Sequence, residues 1–243
     1  MTQFPPVTTT QRKGVRHLHI GSPWIQGSMR LNKPDALELE YVQQMMMWLL
    51  FNDHPRHILQ LGLGAGSLAK FCYQHCPTAQ VTAIEINPAV IEICASMFAL
   101  PPNDERLNVV EMDALKFVTD PANHHTADIL QLDLYDDSTR GPTLDSPDFY
   151  EACAQCLTPD GIMTANLFCD YADYGKNLEI MSRFFEAVVW LPEVHDGNVV
   201  IIAFKQAPQV DFSALYERAA VIRNTLDLPA ETWVDGLQTW MQA

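Results

Sequence analysis

Four short stretches of this sequence carry side chains able to bind a nucleotide and move a proton. Gly62-Leu63-Gly64-Ala65-Gly66 follows an apolar run and precedes a helical one. Glycines there let the backbone turn sharply and let a ligand approach with no Cβ between. Glu85 ends the next apolar run, nineteen residues after Gly66. A carboxylate at that place can accept hydrogen bonds from both ribose hydroxyls. Asp113 ends a third run, in Glu111-Met112-Asp113-Ala114. It reads as an acceptor for an adenine amino group or as a helix N-cap. Asp133 follows a fourth run directly, in Leu132-Asp133-Leu134-Tyr135-Asp136-Asp137. Its side chain is expected at the carboxyl edge of a sheet, beside the nucleotide. Carboxylates this close raise one another's pKa and make a site for a cation. Asp137 reads better as part of a solvated turn.

These residues need a scaffold that brings four strand ends together. Strands are expected at His57–Leu61, Val81–Ile86, Leu107–Glu111, Asp128–Leu132 and Gly161–Asn166, with a closing pair at Val188–Leu191 and Val199–Phe204. Helices are expected between them, at Ser67–His75, Pro88–Phe98, Ala114–Val118, Phe149–Cys156 and Leu178–Phe185. Strand and helix alternating at this spacing give a Rossmann-like, doubly wound α/β sheet. Such sheets bind ligands at the carboxyl ends of their strands, where all four stretches fall. The sixth position of the glycine turn is Ser67, a poor fit to the NAD pattern. Asn166 and the terminal antiparallel pair fit the class I S-adenosylmethionine methyltransferase type of fold better.

The flanks read differently. Residues 1–16 resemble a loose tail. His17–Ile20 and Trp24–Arg30, separated by Gly21-Ser22-Pro23, read as a β-hairpin, and Ala36–Phe51 as one long helix. Phe212–Met241 reads as two amphipathic helices broken at Pro229. The expected division is a tail and hairpin over 1–34, the nucleotide-binding catalytic domain over 35–207, and a helical extension over 208–243. The hairpin is too small to be stable alone, so it is expected to pair with a second copy in a homodimer.

Composition narrows the partners. A net charge of −15 argues against nucleic acid and suits a cationic small molecule, or simply solubility. Six cysteines with no apolar leader and no run long enough to span a bilayer point to the cytoplasm, with no membrane partner. Cys153 and Cys156 form a CxxC, and Cys72 and Cys76 are four apart. Lacking a matching second pair or a His pair, they are expected in the core, and no metal is expected.

From Arg16 to about Lys205 the chain resembles the spermidine synthase (polyamine aminopropyltransferase) family. Gln26 is similar to the family's glutamine after its N-terminal strands, and Tyr41 to the tyrosine that opens its Tyr-His-Glu-Met helix. Gly62–Gly66 resembles the Gly-Gly-Gly-Asp-Gly turn, Glu85 the ribose acid, and Asp113-Ala114 the adenine corner. Asp133 and Asp136 resemble the two aspartates of Asp-Ser-Ser-Asp-Pro. Gly141-Pro142, Leu144 and Phe149-Tyr150 resemble the segment that follows. The resemblance implies transfer of an aminopropyl group from decarboxylated S-adenosylmethionine to a diamine, with Asp133 as base. It implies that Gln26, Gly62, Gly64, Gly66, Glu85, Asp113 and Ala114 hold the donor, and that Tyr41 and Asp136 hold the acceptor.

The departures concern the polyamine-holding groups. Ala65 replaces the turn aspartate, and Val42-Gln43 replace the His and Glu of the helix motif. Two alternatives stand beside the aminopropyltransferase. One is a methyltransferase using intact S-adenosylmethionine, whose carboxylate Ala65 repels less than an aspartate would. The other is a non-catalytic nucleotide-binding protein on the same fold, against which the presence of Asp133 argues.

Overall fold

A computed structural model describes residues 4–135, 144–167, 171–192 and 197–242. The stretch expected to be a loose tail forms strands instead. β1 (Val7–Arg12), β2 (Val15–Ile20) and β3 (Gly27–Arg30) make a three-stranded antiparallel sheet in that order. Arg12 faces Val15 across a two-residue turn. Lys13 and Gly14 both have positive φ, at 50° and 79°. That backbone matches the twist of a tight hairpin. The threonine-rich β1 is polar but β-branched, so it favours a strand despite its exposure. The expected hairpin is present as β2 and β3, with Leu18 opposite Gly27. Leu18 and Met29 of that hairpin lie in the chain's own core, while Trp24 and Ile25 at its turn stay exposed.

The long helix expected over Ala36–Phe51 is broken into α1 (Glu40–Gln44) and a 3-10 turn at Met47–Leu50. The cause is visible at the Met45 carbonyl, which accepts from Thr164 Oγ1 at 3.1 Å and Gln131 Nε2 at 3.5 Å. Those sheet side chains take the acceptor that a continuing helix would use. Met45 to Leu50 are all buried, so no polar face remains to mark a helix.

The strands β4 (His57–Leu61), β5 (Gln80–Glu85), β6 (Leu107–Glu111), β7 (Ala127–Leu132), β8 (Leu157–Leu167), β9 (Ala187–Trp190) and β10 (Val199–Phe204) form one sheet. Its order is β6-β5-β4-β7-β8-β10-β9. The first five strands run parallel, and β10 lies antiparallel to both β8 and β9. Helices α2 (Ser67–His75), α3 (Pro88–Met97), α4 (Ala114–Val118), α5 (Pro147–Cys156) and α6 (Tyr171–Met181) connect the strands. Strand order reverses between β4 and β7, and a doubly wound sheet opens its binding crevice at such a point.

Helices α7 (Phe212–Leu226) and α8 (Ala230–Gln242) follow the sheet, separated at the expected break. Arg218 fixes α7 to the body of the protein, donating to the Leu49 carbonyl at 3.0 Å and pairing with Asp53 at 3.4 Å. Trp233 and Val234 of α8 share a core cluster with Leu18 and Ile58. The five described cysteines are free and buried. Among the described residues, no helix is long and apolar enough to cross a membrane.

Candidate active site

The crevice is made by chain ends that cross closely. The amide of Gly62 donates to the Ile84 carbonyl at 2.9 Å, and that of Asp133 to the Leu61 carbonyl at 2.9 Å. These bonds carry the sheet one residue past β4 and β7 and set Gly62 against Asp133. Gly62, Gly64 and Gly66 all take positive φ, at 91°, 52° and 68°. That backbone costs an L side chain energy and glycine almost nothing.

Glu85 ties two turns together. Its Oε2 accepts from the amide of Leu63 at 3.1 Å, and its Oε1 from the amide of Asn87 at 2.8 Å. Desolvation pushes its pKa up, and the backbone amides of Asn87, Leu63 and Ile86 oppose that shift. Asn87 in turn caps α3 by accepting from Ala89 at 3.0 Å, with Pro88 in the first turn. Of the two expectations raised for Asp113, the structure shows the helix cap. Its Oδ1 caps α4, accepting from the amides of Leu115 at 2.8 Å and Lys116 at 3.2 Å. The same residue forms part of the pocket wall.

Asp133 meets side chains from two further elements. Asn166 Nδ2, on β8, donates to its Oδ1 at 3.0 Å. The Tyr41 hydroxyl, on α1, is its second hydrogen-bond partner. Desolvation pushes the Asp133 pKa up to about 6, while the bonds from Asn166 and Tyr41 pull it down. Burial and the adjacent carboxylate keep the Tyr41 hydroxyl protonated.

Around these groups lies a pocket of about 420 Å³. Its wall brings together Gln26, Tyr41, Gly62, Gly64, Glu85, Asp113, Ala114 and Asp133. Gly66 is not on it. This residue opens α2 and faces Leu100, whose Cδ1 would lie 3.2 Å from an added Cβ. Ala65 is also away from the wall, 3 % exposed and packed under Gly27. Asp136, Asp137, Arg140 and Gly141-Pro142 fall outside the described residues. Among the described residues, the wall carries three carboxylates and no Lys, Arg or His. Within the same set, no cluster of His, Cys, Asp or Glu is placed to hold a metal ion.

The sequence reading missed the apolar part of the wall. Phe4 and Pro5 come from the stretch expected to be a loose tail, and Ile20 from β2. Ile86 and Met112 flank the acids already singled out, and stay exposed at 48 % and 40 %. An apolar side chain beside each strand-end acid was the available signal. Asn87 and Tyr135 were further omissions, and the Tyr135 hydroxyl donates to the Asn166 carbonyl at 3.1 Å.

Comparison with known proteins agrees with this geometry. Residues 39–214 match the sequence model of the spermine/spermidine synthase domain. A polyamine aminopropyltransferase from Chromobacterium violaceum is 35 % identical over 237 residues, covering 97 % of this chain and 90 % of that protein. The human eEF1A lysine and N-terminal methyltransferase is 30 % identical over 76 % of this chain, but over only 28 % of its own length. A crystal structure of a probable spermidine synthase from Corynebacterium glutamicum superposes with a TM-score of 0.73 at 19 % identity, covering 88 % of this chain and 83 % of that one. The chain belongs to the spermine/spermidine synthase family and is a transferase.

Proposed function

We propose that this transferase moves an aminopropyl group from decarboxylated S-adenosylmethionine to a diamine, with Asp133 taking the proton. The observation that carries this reading is the charge of the pocket wall. Glu85, Asp113 and Asp133 stand there, with no basic side chain among the described residues. The decarboxylated donor carries a sulfonium and an ammonium, both cations. The intact donor adds a carboxylate, which would meet no cation among the described residues of this wall.

The assignments follow from position. Glu85 accepts from the ribose hydroxyls with the lone pairs its backbone bonds leave open. Asp113 and Ala114 meet the adenine, between Ile86 and Met112. Gln26 and the glycines Gly62, Gly64 and Gly66 shape the donor's path, Gly66 by fixing the turn rather than by contact. Tyr41 holds the acceptor, and the family resemblance assigns Asp136, outside the described residues, to the same task. The incoming amine is cationic in water and gives its proton to Asp133. Its lone pair then attacks the carbon bonded to sulfur. The carbon–sulfur bond breaks, its electrons stay on sulfur, and neutral methylthioadenosine leaves. No metal takes part. Alignment of amine, carbon and sulfur supplies most of the rate. The protein acts as a homodimer in the cytoplasm in this reading.

A methyltransferase reading has one observation in its favour. Ala65 is buried under Gly27, so the glycine turn presents no carboxylate to repel that of an intact donor. One experiment separates the two. The protein is incubated with a panel of amines and either donor, and products are weighed by mass spectrometry. An added aminopropyl group with released methylthioadenosine supports the proposal. An added methyl group with S-adenosylhomocysteine overturns it.

A further inference from the structure

We infer that Asn166 is a positioning residue for Asp133, its side-chain amide reaching across from the neighbouring strand to hold the carboxylate as a proton acceptor facing the pocket. The inference rests on the reading of Asp133 as the base. Leu132 of β7 pairs with Ala165 of β8, which sets Asn166 beside Asp133 where both strands end. Asn166 is 1 % exposed and is not on the pocket wall, so it acts through Asp133 and not on a ligand. Its Nδ2 donates to Asp133 Oδ1 at 3.0 Å. Its own Oδ1 is buried with no hydrogen-bond partner among the described residues.

That orphaned oxygen is the informative atom. A buried acceptor without a partner weakens a fold. Val200, directly opposite Asn166 on β10 and on the same face of the sheet, is a fully buried apolar side chain, so an apolar residue suits this place. Stability therefore does not account for an amide here, and the bond to Asp133 does. Asn166 from β8 and Tyr41 from α1 approach the carboxylate from two separate elements. Two donors on two rigid elements fix the plane of the carboxylate and leave its other lone pairs for the incoming amine. Such donors favour the charged form, so a carboxylate deprived of one holds its proton to higher pH.

The experiment measures pH–rate profiles for the unsubstituted enzyme and for Asn166→Leu, Asn166→Asp, Asn166→Gln and Asp133→Asn. Methylthioadenosine affinity and a thermal melt accompany each variant. For Asn166→Leu the expected kcat falls about ten- to a hundredfold, the worth of a hydrogen bond to a charged group. The acid limb of its profile moves up by about one pH unit. Donor KM and methylthioadenosine affinity stay unchanged, and the melting temperature does not fall. Asn166→Asp keeps the shape but sets a carboxylate against Asp133, so its limb moves further up. Asn166→Gln keeps an amide and regains part of the rate.

A folded Asn166→Leu or Asn166→Asp enzyme with the wild-type kcat and limb overturns the inference. If neither variant folds, Asn166 is structural and the inference falls as well. An Asp133→Asn enzyme with full activity overturns instead the reading of Asp133 as base, and this inference with it.

Discussion

Gly62 and Asp133 meet so closely that the glycine has no room for a side chain. A Cβ on Gly62 would lie 2.1 Å from the Asp133 carbonyl oxygen, and φ at that residue is +91°. The glycine turn and the acidic loop are therefore one unit, fixed at the point where the strand order reverses. Gly62→Ala should cost about 1–3 kcal/mol in backbone strain alone, with the clash added to it. The check is a thermal melt together with methylthioadenosine calorimetry, and an alanine variant that melts and binds like wild type refutes the contact.

Glu85 should govern the nucleotide. Its removal takes away ribose acceptors and also leaves the Leu63 and Asn87 amides without their carboxylate. Glu85→Ala should weaken methylthioadenosine binding by about 1–3 kcal/mol, the scale of a charge-assisted hydrogen bond. Calorimetry on the purified protein measures it. No heat with methylthioadenosine or with either donor would remove the nucleotide from the proposal altogether.

Asp133→Asn keeps size and most hydrogen bonds but cannot accept a proton. Turnover should fall by about two to four orders of magnitude, the usual contribution of a general base. Methylthioadenosine affinity should survive, because Glu85 and Asp113 remain.

The same substitution should change stability in a pH-dependent way. Burial holds the Asp133 carboxyl at about 6 in the folded protein, above the ordinary aspartate value. A carboxyl group with a raised folded pKa favours the fold fully below its unfolded pKa, and that contribution is lost as pH rises through the folded pKa. Across roughly pH 4 to 6 the Asp133 contribution thus declines, and at pH 8 the buried charge is a liability. Asp133→Asn should melt higher than wild type at pH 8, and the gap should close below pH 4. Melting curves at the two pH values decide it, and a gap of the same size at both refutes the assignment.

Trp24 and Ile25 stand side by side between β2 and β3, at 62 % and 48 % exposure. We expect a homodimer that covers them. Light scattering at micromolar concentration should give twice the chain mass, and a monomer alone would refute this.

The middle of the sheet was legible because β4, β7 and β10 are buried on both faces. Ala127–Leu132 is buried at every position, and such a run marks a parallel strand without need of alternation. The ends of those strands located the acids, so Glu85, Asp113 and Asp133 could be read together. Where side chains from elsewhere decide the backbone, the reading failed. The helix predicted through Met45 depended on Thr164 and Gln131, more than eighty residues away in sequence. The Val7–Arg12 strand depended on a neighbour for its hydrogen bonds, and its polar composition masked it. Phe4 and Pro5 reach the pocket only because that strand is anchored. Asn166 was noticed as a feature of the fold, but its bond to Asp133 needs the register of β7 against β8.

The packing of Gly27 over Ala65 bears on how this site could be altered. A Cβ on Gly27 would come within 2.6 Å of the Ala65 Cβ, so the two positions are sterically coupled. An aspartate installed at 65 would place a carboxylate beneath β3, where Ala65 is 3 % exposed, and burying that charge costs stability. A single substitution to aspartate at 65 should therefore lower the melting temperature. Any engineer who wants that carboxylate back must first lift β3 away from the turn, and must rebuild the Gln26 side of the pocket in the same step.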